Sequence, residues 1–181
     1  VFHIEKTADV VVDSLTAEIS GIPSTMELTT GLILAQKTYK LLFRPTYAAL
    51  PSAADSASAE TLRCEASVNI PGIVRSHTED MVTGPGILQI AIYTHYDYEE
   101  EGTQRKAAKV FHAGINLYHT LKERKSLQWD EEENGYRQAS RSITVEIGSP
   151  LNIDKDGILN GGSTSTGLDQ WIPGETFEIE V

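Results

Sequence analysis

Polar and apolar residues alternate one for one along much of this chain, and that period of two is what most restricts its fold. Successive side chains of an extended strand point to opposite faces, so an alternating stretch buries one face and wets the other. Residues 10–19 (VVVDSLTAEI) run this way and meet a turn signal at Ser20-Gly21-Ile22-Pro23. Residues 26–31 alternate and then turn at Gly31; residues 39–43 follow and are stopped by Pro45, which has no N–H to give to a ladder. Residues 62–70 form the next expected strand, closed by Pro71-Gly72. The strongest strand signal is residues 87–96, rich in β-branched and aromatic side chains. Asn134-Gly135 predicts a hairpin turn, because both residues tolerate positive φ, between residues 127–129 and 142–147. Residues 175–181 close the chain with another alternating run.

Two stretches read differently. Residues 48–59 are Ala/Ser-rich around Pro51 and predict a flexible loop, with a short helix as the alternative. Residues 106–121 carry both a partial helical stripe and an alternating run. Gly114 would cost a helix about 1 kcal/mol, so a strand is the favoured reading. The total is about eight to ten short strands at spacings of ~8–20 residues, which predicts an all-β fold, a two-layer antiparallel β-sandwich.

The length of 181 residues suits one domain, and 1–181 reads as a single β-sandwich. The formal net charge of −11 repels phosphate backbones and anionic bilayers, so nucleic acid is excluded as an expected partner. No apolar run approaches the ~20 residues that cross a bilayer. The single cysteine, Cys64, cannot form an intrachain disulfide and reads as a small buried hydrophobe in a strand. The chain opens at Val1 and reads as a piece of a longer precursor.

The residues with chemical potential do not assemble into a strong motif. The five histidines are His3, His77, His95, His112 and His119, with no HExxH and no His/Cys pair at zinc spacing. Strand alternation puts His95 and Asp97 on one face. The run Asp130-Glu131-Glu132-Glu133 reads as a solvated hairpin tip. Asn152, Asp154 and Asp156 followed by Gly157 match the opening of a calcium loop. Position twelve is Ser163 and not glutamate, so a β-turn at Asp156-Gly157 is expected instead. No serine elbow, phosphate loop or dinucleotide fingerprint appears. The expectation is a non-enzymatic chain: no catalytic residue, no cofactor and no metal site.

Residues 13–31 (DSLTAEISGIPSTMELTTG) resemble a segment of the fimbrillin-like pilus and cell-adhesion proteins of the Bacteroidales, in which a strand ends in an "SG" turn and a short strand then ends in "TG". Residues 86–90 (GILQI) are similar to that family, as is the finish, a glycine-rich loop leading to Trp171 and then Phe177-Glu178-Ile179-Glu180-Val181. The resemblance implies a transthyretin-like, Greek-key sandwich and the carboxy-terminal domain of an outer-membrane lipoprotein. It implies a subunit or an anchor or tip component of a surface fimbria, whose partners are other fimbrial subunits and a host or glycan ligand.

Strand-rich modules associate by adding a strand to an open sheet edge. The expected edges are the first strand, residues 2–6, and the last, residues 175–181. The assembly candidates are Phe177, Ile179 and Val181, expected to face a core within this chain or on a neighbour. Glu175, Glu178 and Glu180 would restrain uncontrolled pairing. The competing reading is a glycan-binding surface module, for which Trp129, Trp171 and the tyrosines Tyr93, Tyr96 and Tyr98 could supply a platform.

Overall fold

A computed structural model describes residues 1–27, 29, 33–51, 59–76, 83–130, 135–138, 144–159 and 171–179. In chain order the elements are β1 (Phe2–Thr7), β2 (Val10–Met26), β3 (Ile33–Phe43), β4 (Thr46–Ala49), β5 (Ala59–Glu65), β6 (Leu88–Glu100), β7 (Thr103–Ile115), α1 (Leu117–Glu123), β8 (Leu127–Asp130), β9 (Gly135–Gln138), β10 (Leu151–Ile153) and β11 (Ile172–Ile179). The fold is an all-β sandwich of two sheets packed on each other. One sheet has the order β10-β1-β5-β4 and the other β11-β7-β6-β2-β3; β8 and β9 form a separate hairpin. Neighbours run antiparallel except β1 and β10, which are parallel.

Alternation explains the layers. Leu88, Ile90, Ile92 and Thr94 of β6 point between the sheets, and Phe111, Ala113 and Ile115 of β7 lie beside them. From the other sheet come Phe2, Ile4, Leu62, Cys64, Leu151 and Ile153, all in one apolar cluster. A fully buried side chain of this size contributes roughly 1.5–3 kcal/mol, so these inward faces dominate the stability of the sandwich.

Several expectations are corrected. Ser20-Gly21 is not a turn: β2 continues through it to Met26, and the register to β3 shifts there, from Ile19↔Leu41 to Ile22↔Tyr39. Gly21 takes the bulge conformation at φ +76°. Its surroundings hold it: Gly86 N donates to Ser20 O at 3.0 Å and Val74 N to Gly21 O at 2.8 Å. Pro23 is tolerated inside the strand because the β6 ladder ends at Ile19, leaving β2 only β3 as a neighbour. The strand expected at 62–70 spans Ala59–Glu65, and part of the expected 48–59 loop is β4.

Residues 106–121 divide between the two readings. β7 carries Gly114 within it and ends at Ile115; Asn116 then caps α1, its Oδ1 accepting from His119 N at 2.9 Å. The hairpin forms with Asp130 opposite Gly135, so its return strand is β9 and not residues 142–147; Asn134 lies outside the described residues. The first strand is not an edge, because β1 lies between β10 and β5.

Candidate functional site

β11 is the outermost strand of the five-stranded sheet and pairs only with β7. Its backbone groups on the far side have no strand beside them among the described residues. The strand is positioned by Trp171, buried immediately before it. The indole Nε1 donates to Ser149 O at 3.1 Å, and the ring meets Phe2 edge-to-face with centroids 5.5 Å apart. That contact ties the start of β11 to the opposite sheet.

The strand then bulges. Ile172 and Pro173 pair with Gly114 and Ala113, but Thr176 and Phe177 pair with Phe111 and Val110. In the first register Phe177 would stand opposite Lys109, on the inner face. One inserted residue moves it opposite Val110, on the outer face. Gly174 lies at the bulge, where a Cβ would come 3.0 Å from the Cβ of His112. Phe177 is 50% exposed, so of the two expected placements it does not take the one in this chain's own core. Its ring stands edge-on to His112, with centroids 5.6 Å apart. Val110, Tyr93 and Ala91 continue the same apolar outer face across β7 and β6. Ile179 pairs in register with Ala108 and Glu178 with Lys109. Glu180 and Val181 lie outside the described residues.

A second bulge sits at Asp13, where the β2–β6 register moves from Val12↔Thr94 to Ser14↔Tyr93. The Tyr47 hydroxyl, from β4 in the other sheet, reaches the Val12 and Asp13 carbonyls at 2.9 and 3.0 Å and so staples the two sheets there. His95 Nδ1 lies 2.8 and 2.9 Å from the two Asp13 carboxylate oxygens. Asp13, not Asp97, is the partner of His95. The sequence does signal this: two polar residues in a row, Asp13-Ser14, break the alternation.

The remaining candidates have structural placements. Cys64 is buried, and burial pushes its thiol up to about 12, which leaves no reactive thiolate near neutral pH. Asp154 Oδ1 accepts from Asp156 N and Gly157 N at 2.7 and 2.8 Å, a local turn that occupies that oxygen. Among the described residues no group of three or more His, Cys, Asp or Glu could hold a metal ion. Asp154→Ala is accordingly expected to lower stability by about 1 kcal/mol, with the melting temperature of the unsubstituted protein unchanged by millimolar calcium. Thermal melting with and without calcium checks both.

Of the candidate aromatic residues, Tyr96 and Tyr98 stand with ring centroids 6.2 Å apart. Trp171 is buried, Tyr96 lies under the Lys109 ammonium with 5.5 Å from Nζ to the ring, and Tyr93 stands on the outer face. Trp129 lies in β8 opposite Tyr136. His119 has Glu123 one helical turn away at 3.9 Å, His3 pairs in register with Arg63, and His77 is outside the described residues.

The two sheets part at one end. There an open cavity of about 830 Å³ lies between them, under α1. No family model, curated protein or solved structure gives a significant match to this chain.

Proposed function

We propose that this protein is a non-enzymatic structural or accessory subunit of a bacterial surface fimbria, at the outer membrane, that works in assembly and adhesion through strand-edge contacts at β11. The observation that carries the reading is an edge strand, open among the described residues, with a half-exposed phenylalanine turned outward by a bulge. An added strand would gain main-chain hydrogen bonds from the edge, and Phe177 would supply an apolar anchor beside them. Pro173 and Glu175 sit at the start of the strand and discourage pairing there, which leaves the Thr176–Ile179 half as the docking segment. The resemblance of residues 13–31 to fimbrillin-like proteins supports the same reading.

The test is a pull-down against the fimbrial subunits of the source organism, run beside thermal melting. Phe177→Asp is expected to weaken association at least ~10-fold, about 1.4 kcal/mol. Because the side chain is already half exposed, the fold should lose only about 1 kcal/mol. Unchanged association for Phe177→Asp would remove β11 from the account. If the unsubstituted protein instead binds a glycan array and no fimbrial subunit, the function is that of a surface glycan-binding module.

A further inference from the structure

We infer that the cavity between the sheets is a binding site for a single-chain anionic amphiphile of the fatty-acid class. Its walls come from both sheets: Phe2 of β1 on one side, and Ala17, Ile19 and Leu88 of β2 and β6 on the other. Leu117 and Leu121 of α1 line it as well. The volume of about 830 Å³ lies within the range of small-molecule sites. The cavity is open to solvent, so water fills it when no ligand is bound. Water bonds to the polar part of the lining, Arg44, Glu65 and Asn69 among it, and finds few partners only against the apolar part, where a hydrocarbon chain would displace it.

The mouth selects the head group. Arg44, Arg63 and Glu65 line the cavity, and Arg63 is already paired with Glu65 at 2.6 Å. Arg44 is exposed and has no ion-pair partner among the described residues. Glu65 is the one acid among the described lining residues, in a chain whose net charge is −11. The mouth is therefore a local cationic exception, and an arginine fork fits a carboxylate.

β1, β5, β2 and β6 each have a neighbour on both sides, so these walls offer side chains and no open ladder, whereas Phe43 and Thr46 come from the edge strands β3 and β4.

The experiment measures binding of sodium dodecanoate and of dodecyl maltoside, which has the same chain and a neutral head, to the whole chain by calorimetry. The expected result is one dodecanoate per chain, held at least tenfold more tightly than the maltoside. Arg44→Glu, at an exposed position, should abolish that preference without moving the melting temperature. Val68→Trp, which projects a large ring from a half-buried lining position, should block both ligands in a protein that still melts cooperatively. Absence of dodecanoate binding to the folded chain overturns the proposal. So does equal binding of the two amphiphiles, which would leave the arginine without a role. Self-association that protects the cavity while dodecanoate fails to bind assigns it to a second copy, and also overturns the proposal. None of these outcomes depends on whether β11 docks a fimbrial subunit.

Discussion

Gly21→Ala is expected to lower the unfolding free energy by about 2–5 kcal/mol and the melting temperature by about 5–15 °C. Two penalties add. The backbone sits at φ +76°, where an L side chain costs roughly 1–2 kcal/mol. A Cβ there would also meet Gly86 N at 2.6 Å and Pro85 Cα at 2.8 Å, both parts of the main chain that cannot rotate away. Overpacking of that kind costs typically 1–3 kcal/mol. Gly102→Ala is the control. Gly102 has φ +77° but open space around its Cβ, so it pays the conformational cost alone. The difference in melting between the two variants isolates the contact of the 84–86 loop with β2.

The effect should spread, because Gly86 is itself pinned. Gly86 N bonds back to Ser20 O, and Gly86 O accepts from Tyr118 N at 2.9 Å, at the start of α1. Displacing the loop therefore displaces the helix over the cavity. Dodecanoate binding should weaken in Gly21→Ala and hold in Gly102→Ala. Equal melting of the two variants would show that the loop does not press on the bulge.

Trp171→Ala should cost about 3–5 kcal/mol, the usual range for emptying a buried aromatic site. The indole is 1% exposed, and its loss removes the edge-to-face contact with Phe2 and the hydrogen bond to Ser149 O together. Trp171→Phe separates these: it keeps most of the ring and loses the hydrogen bond, at about 1–2 kcal/mol. Trp171 also sets where β11 begins. With it gone, β11 amides should exchange faster than those of β6, and association through Phe177 should fall although Phe177 is intact. Hydrogen exchange resolved by segment reads this directly. Slow exchange in β11 after Trp171→Ala would mean that the β7 ladder alone holds the strand.

Much of the fold was legible because alternation is a local property. The 87–96 and 10–19 runs became the central strands β6 and β2, and alternate residues of each, such as Ile90, Ile92, Leu15 and Ala17, face one core. Asn134-Gly135 signalled a hairpin, and one forms, with Gly135 in the return strand opposite Asp130. The Ser20-Gly21 signal was real but ambiguous, since the same glycine conformation serves a turn or a bulge. Here the 84–86 loop, more than sixty residues away in the sequence, decides for a bulge.

The sequence by itself determined that this chain forms amphipathic strands with turns between them, and hence an all-β sandwich, although β2, β6 and β7 run to 17, 13 and 13 residues. Each of those features depends on a residue and its near neighbours. Only the tertiary structure decided which strands lie at the edges, which face Phe177 shows, that Asp13 partners His95, and that Arg44 lines the cavity between the sheets. Edge status depends on strand order, and strand order is a set of pairings between distant segments. The face of Phe177 depends on one inserted residue relative to β7; with a side-chain period of two, such a slip reverses the face while leaving the alternating pattern of the strand unchanged.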